Sequence, residues 1–159
     1  LTVALADEMT RAAGHDVGRD ELRAALGDGR AMDVWRRMIA AQGGDPDAAL
    51  PTAAETETIT ADSDGHLEHV DALAVGLAAW RLGAGRARKE DPVQAGAGVE
   101  LHVRPGEPVR RGDPVMTLHT DSPDRIPRAR ESLEGAWSIS TDAPSARSVV
   151  LDRITAREI

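Results

Sequence analysis

The sequence predicts an α+β fold, a helical segment followed by a strand-rich domain. Three observations carry that prediction. Apolar residues recur at helical spacing over residues 1–42, short alternating runs follow from residue 55, and the stretch between them, QGGDPDAALPTAAE, is rich in Gly, Pro, Asp and Ala with no period. The boundaries read from this pattern are a helical segment at 1–50, a domain at 55–140 and a tail at 141–159.

Taken in order, Leu1, Leu5, Met9 and Ala12 recur at spacings of four and three and form one apolar stripe, which Gly14 ends with a left-handed turn. Asp20 is expected to cap a second helix through Leu22, Ala25 and Leu26, ended by Gly27. Asp28 is expected to cap a third, AMDVWRRMIAAQ, with Ala31, Trp35, Met38 and Gln42 nearly aligned and Gly43 and Gly44 stopping it. Three short helices joined by tight turns bury little surface among themselves, so their apolar sides call for a partner. The chain opens on Leu1 in mid-pattern, as though a helix were entered midway, and this reads as a truncated chain.

From Glu55, ETETITA alternates like a strand, DSDG supplies turn residues and HLEHV alternates again, which predicts a hairpin about Asp64 and Gly65. Asp71 caps a helix through ALAVGLAAWRL, with Leu73, Leu77 and Trp80 on one side and Gly83 as terminator. GAGRARKEDPVQAGAG reads as loop. VELHV and PVMTLHT make a second pair of strands across the turn RPGEPVRRGD. Pro127 sits early in a helix through ARESLEG, and AWSIS is the last strand before the tail. No internal repeat stands out.

Composition narrows the function classes. The net charge of −8 disfavours a nucleic-acid backbone as partner, and no apolar run is long enough to cross a bilayer. With no cysteine, disulfides, thiolate catalysis and Cys-based zinc sites drop out, and the expectation is a soluble cytoplasmic protein. Three Trp with no Phe or Tyr leave burial to Leu, Val, Ala and Met.

Candidate chemistry is sparse. His66 and His69 form H-x-x-H, which on a helix puts two imidazoles on one face, but here the alternation says strand, where positions three apart point oppositely. His15, His102 and His119 stand equally alone. GAG at 83–85 follows a helix instead of opening one, the wrong order for a dinucleotide loop. Arg81, Arg86, Arg88 and Lys89 concentrate positive charge; a solvated face paired with Glu90 and Asp91 competes with phosphate binding there. Lys89 is the only lysine. The hairpin VRPGEPVRRGDPVMTLHTDS looks like biotinyl and lipoyl carrier domains, yet the place of their modified lysine holds HTDS. Asp33, Glu68 and Glu100 show no pairing, and no Ser, His and Asp set lies in a nucleophile elbow. No catalytic, cofactor-binding or metal-ligating residue is assigned from the residues alone, and no cofactor is expected.

The ordered set LTVALADEMTRAAG, GDGRAMDVWRRMIAAQGGDP, DGHLEHVDALAVGLAAWRLGAGRARKEDPVQAGAGVELHVRPGEPVRRGDPVMTLH and AWSIS resembles the C-terminal stretch of the thymidine and pyrimidine nucleoside phosphorylases. The pieces are individually weak; their order and spacing are restrictive. The resemblance implies a homodimeric pentosyltransferase of pyrimidine salvage that cleaves pyrimidine nucleosides with phosphate, giving base and pentose 1-phosphate. It also implies that residues 1–50 belong to the large α/β lobe and 55–140 to an α/β-hammerhead domain. The family's phosphate-gripping and base-holding residues precede the matched region, so none is carried onto this chain, and the chain itself is expected to be structural and inactive, partnered by the missing N-terminal part. An independent barrel-sandwich binding module is the competing reading, and an AMP-phosphorylase-like relative is a third.

Overall fold

The computed structural model describes residues 1–145 and 148–154. The fold is α+β and divides into two units: residues 1–49 with 148–154, and residues 50–145, as far as each is described.

The first unit holds α1 (Thr2–Ala12), α2 (Arg19–Gly27) and α3 (Arg30–Ala41). Gly14 ends α1 at φ +79°, a conformation that glycine adopts without steric penalty. Asp20 does not cap α2. Gly18 occupies the cap, and Asp20 lies one step inside the helix, where its carboxylate accepts from Arg23 Nη1 at 2.7 Å. Asp28 is also displaced from the expected cap: Gly29, at φ +95°, takes that position, and Asp28 accepts the Arg30 amide at 3.1 Å and Arg30 Nε at 2.8 Å. The carboxylate thus satisfies a free amide of the first turn from one residue further out.

Asp7 is the one buried residue of α1, and α2 and α3 bury none. Its carboxylate is held by Arg11 Nη2 at 3.0 Å and Arg19 Nε at 2.8 Å, which ties α1 to the start of α2. Beside it, Arg153 grips both oxygens of Glu8 at 2.7 and 2.8 Å, so the C-terminal segment is fastened to α1 by a bidentate pair. The apolar stripes stay open: Leu5 is 54% exposed, Met9 72%, Trp35 44% and Met38 48%.

The second unit is built on two three-stranded antiparallel sheets. Strands β1 (Glu55–Thr60), β5 (Pro114–Thr120) and β3 (Gly98–Leu101) form one in the order β1-β5-β3; β4 (Pro108–Val109), β2 (Gly65–Val70) and β6 (Trp137–Ser140) form the other in the order β4-β2-β6. The expected hairpin between β1 and β2 is therefore absent. β1 spends its ladder on β5, from Glu55 opposite Thr120 to Ile59 opposite Met116, and the chain crosses to the other sheet at DSDG. Asp64 there accepts the Arg111 amide at 2.8 Å, and Gly65 lies so close to β6 that a Cβ would collide with the Ser140 carbonyl. The pairing of β3 with β5 is as expected.

The segment between β3 and β5 is a tandem repeat that a reading for longer periods misses. RPGEPV (residues 104–109) is followed at once by RRGDPV (residues 110–115). In each copy the acidic side chain accepts the amide of the arginine three residues earlier, Glu107 from Arg104 and Asp113 from Arg110, both at 2.8 Å. The first copy ends in β4 and the second in β5, so one turn design hands the chain to each sheet in succession.

Helix α4 (Ala72–Ala79) and helix α5 (Ile126–Leu133) complete the unit. Asp71 caps α4, its Oδ1 accepting from the amides of Leu73 at 2.8 Å and Ala74 at 3.1 Å. The helix widens into a π-type turn over Trp80–Ala84 and stops at Gly83, φ +112°. Pro127 lies in the first turn of α5, where its missing N–H costs nothing. The core is aliphatic: Leu67, Leu82, Val115, Met116 and Leu118 are fully buried, joined by Ala78, Ala129 and Leu133. Each such leucine contributes about 1.5–3 kcal/mol of burial. Leu73, Leu77 and Trp80 form the outer side of α4 and remain exposed.

Candidate functional site

A cleft of about 510 Å³ lies beside the end of α4, and Trp80, Arg81, Asp91, Asp124, Arg125 and Arg128 supply its polar and aromatic lining. Its walls come from the π-type turn, the loop that follows it and the first residues of α5. One side chain fixes that loop. Gln94 Oε1 accepts the Asp121 amide at 2.8 Å, Gln94 Nε2 donates to Ser122 Oγ at 2.8 Å, and the Gln94 amide donates to the Gly83 carbonyl at 2.9 Å. Thr120, with no exposure, donates its hydroxyl to the Leu82 carbonyl at 2.7 Å and accepts the Ser122 amide at 3.1 Å. Glycine suits this junction because Gly83 holds φ +112°, a conformation that strains any side chain, and a Cβ there would also press on the hydrogen-bonded Gln94 side chain at 2.9 Å.

Three guanidinium groups meet at the cleft. Arg81 Nη1 donates to the Arg128 carbonyl at 2.7 Å, which ties the π-type turn to α5. Among the described residues no carboxylate forms an ion pair with Arg81, Arg125 or Arg128. Arg81 Nε is buried with no hydrogen-bond partner. Of the cationic cluster expected from sequence, the cleft takes Arg81. Arg86 donates to the Lys89 carbonyl at 3.0 Å, and Asp91 Oδ2 accepts the Arg88 amide at 2.9 Å, so Asp91 is tied to the backbone of the loop and not to a cationic side chain. Sequence reading missed Arg125 and Arg128; PDRIPRAR shows them, but their approach to Arg81 is set by α4 packing on α5.

The other singled-out residues do not converge. His66 and His69 lie on β2, whose register shifts between Leu67 and His69; His66 Nδ1 is 3.4 Å from the Thr141 carbonyl oxygen. His102 Nε2 is 2.7 Å from Thr117 Oγ1, itself 3.2 Å from Thr58 Oγ1, a polar chain across one face of the first sheet. His119 stands 3.5 Å from Glu100, Glu68 accepts from Ser138 Oγ at 3.0 Å, and Asp33 lies in the first turn of α3. Among the described residues no three His, Asp or Glu side chains group so as to hold a metal ion, and no helix is long and apolar enough to cross a membrane. At HTDS, Thr120 is fully buried and Asp121 accepts the Ala54 amide at 3.0 Å. The place of a carrier lysine is occupied by structural bonds.

Strands β2 to β6, α4 with its glycine-ended extension and α5 fall within residues 66–140 or at their border, while β1 precedes them, and that span matches the family model of the pyrimidine nucleoside phosphorylase C-terminal domain. Residues 66–140 are a pyrimidine nucleoside phosphorylase C-terminal domain. The similarity extends over nearly the whole chain. It is 52% identical over 154 residues to a thymidine phosphorylase of Mycobacterium tuberculosis, covering 97% of this chain and 36% of that protein. It is 38% identical over 143 residues to the thymidine phosphorylase of Homo sapiens, covering 81% and 30%. An AMP phosphorylase of Natronomonas pharaonis is 40% identical over 131 residues, with 80% of this chain and 25% of that protein covered. The chain thus spans about a third or less of the length of these relatives.

Proposed function

We propose that this chain is the supporting C-terminal part of a phosphorylase that cleaves pyrimidine nucleosides with inorganic phosphate, releasing base and pentose 1-phosphate. The observation that carries the supporting role is the open apolar surface of the helical unit, where Leu5, Met9, Trp35 and Met38 are between 44% and 72% exposed. Surfaces of that kind mark a contact with another body. In this reading residues 1–50 pack on the large lobe of the same enzyme and 55–140 form its hammerhead end. The enzyme is a cytoplasmic homodimer of pyrimidine salvage, a pentosyltransferase in class, and the catalytic groups lie outside this chain.

Attack of phosphate at the anomeric carbon develops positive charge on the sugar and negative charge on the departing base. Cationic and hydrogen-bonding groups around the base therefore supply the main stabilisation, and lobe closure excludes water. Two of the relatives carry the name thymidine phosphorylase, which supports reading the substrate as a pyrimidine nucleoside.

The test is direct. The purified 159-residue chain, given thymidine or uridine with phosphate, releases no free base, whereas the enzyme that includes this sequence with a large lobe does. Base release by the chain alone, surviving controls for contaminating phosphorylase, overturns the supporting role. A second reading, an independent binding module, draws on the second unit's own closed core of Leu67, Leu82, Met116 and Leu118. It requires that residues 1–50 have no large-lobe partner, and co-purification of the chain with a separately expressed lobe decides against it.

A further inference from the structure

We propose that the cleft between the π-type turn and α5 is a binding site for a phosphate group, free or on a small hydroxylated ester, held by Arg81, Arg125 and Arg128. The site does not depend on the supporting role argued above. Its first support is charge placement. Arg81, Arg125 and Arg128 line the cleft, and Arg86, Arg88 and Lys89 belong to the loop that forms its wall. Against them stand Glu90, Asp91 and Asp124, which leaves a surplus of three positive charges in a chain whose net charge is −8. A local reversal of that size, in a concave site, draws anions selectively.

The second support is unused valence. Among the described residues none of the three lining arginines is neutralised by a carboxylate within ion-pair distance, and Arg81 Nε is buried without a partner. Guanidinium forks match the oxygen geometry of phosphate and donate charge-assisted hydrogen bonds in pairs. Arg81 is also held in place, its Nη1 donating to the Arg128 carbonyl at 2.7 Å, so that one of the three donors is oriented before a ligand arrives.

The carboxylates indicate which phosphate compounds fit. Asp91 Oδ2 is taken by the Arg88 amide, but its other oxygen and both oxygens of Asp124 have no hydrogen-bond donor among the described residues. They repel a bare anion and accept from hydroxyl groups, so a hydroxyl-bearing phosphate ester suits the cleft better than inorganic phosphate. Trp80, 41% exposed in the lining, places an indole where a ligand perturbs its emission.

The experiment titrates the 159-residue chain with ribose 5-phosphate, inorganic phosphate and ribose, at ionic strength held constant with chloride, by calorimetry and tryptophan emission. Ribose 5-phosphate binds saturably, with a Kd on the order of millimolar or tighter. Arg125→Gln and Arg128→Gln each weaken it about tenfold, the loss of one charge-assisted pair. Both side chains reach solvent and neither guanidinium has a partner in the fold, so these variants keep the structure even where Arg81→Gln loosens the helix contact. Binding of ester and inorganic phosphate with equal affinity supports the site with phosphate alone as the recognised group. Absence of saturable binding by either phosphate probe, equal binding of ribose, or an affinity unchanged in both variants overturns it.

Discussion

The Gly106 amide donates to the Leu67 carbonyl at 2.7 Å, and six residues later the Gly112 amide donates to the Ala61 carbonyl at 2.8 Å. Each donor sits in a left-handed turn, φ +96° and φ +92°. Each is followed by a residue whose carbonyl accepts from the same partner: Glu107 from the Leu67 amide at 3.0 Å, Asp113 from the Ala61 amide at 2.9 Å. Two copies of one sequence turn thus make the same pair of bonds, one copy to Leu67 within β2 and the other to Ala61 just past the end of β1. Because a side chain at such φ costs about 1–2 kcal/mol, Gly106→Ala and Gly112→Ala each lower the unfolding free energy by about that much, and by similar amounts. Gly76→Ala, in the exposed middle of α4 with nothing near the new methyl group, raises it by about 0.5–1 kcal/mol. Urea unfolding of the three variants checks both the repeat and the sign change.

What the sequence revealed and what it hid divides along the same line. Asp71 was legible as a cap and Gly83 as a terminator because both act within a few residues of themselves, and their signals are local. The hairpin at Asp64 and Gly65 was wrongly expected because turn chemistry says where a chain bends, not which strand it then meets. Here β5, more than fifty residues later, is the stronger partner for β1. The caps at Asp20 and Asp28 missed by one or two residues, the usual slack where glycine competes for the position. The cleft was half legible: Arg81 stood out in a charge cluster, while Arg125 and Arg128 needed the packing of α4 against α5.

Thr120 tests how firmly the cleft loop is pinned. Its buried hydroxyl serves the Leu82 carbonyl and the Ser122 amide together. Thr120→Val keeps the shape and leaves both groups without that partner, the Leu82 carbonyl in the buried core and the Ser122 amide in a partly buried position. It lowers stability by about 1–3 kcal/mol. Hydrogen exchange then rises in residues 82–94 more than in β2 and β6, since the loss falls on the junction and not on the second sheet.

Acid should loosen the helical unit before the second one. The hydrogen bond from Arg19 holds the Asp7 carboxyl below the usual carboxylate range; burial opposes this, and the charges of Arg11, Arg19 and Arg153 add to it. Glu8 is lowered in the same way, chiefly by its hydrogen bond from Arg153. A depressed folded pKa contributes stability that is present above the unfolded value, about 4, and is lost as pH falls through the folded value. Helical signal therefore declines in wild type as pH drops below about 4. In Asp7→Asn the helices are weaker at neutral pH and that part of the acid dependence disappears. Circular dichroism across the acid range, with Trp35 emission reporting α3, is the measurement.

The exposed stripes separate a surface built for solvent from one built for contact. Trp35 and Met9 sit on helices that bury almost nothing inside this chain. Met9→Glu therefore changes the unfolding free energy of the isolated chain by no more than about 0.5 kcal/mol, the ordinary scale for surface positions, and Trp35→Glu, at a side chain more than half covered, lowers it by about 1 kcal/mol. In an enzyme containing the large lobe the same substitutions bury an unpaired carboxylate, and the loss becomes several kcal/mol. The decisive quantity is the difference between those two settings, measured on the same pair of variants. Equal, small effects in both mean that the helical faces touch nothing, and the supporting role fails on its own central surface.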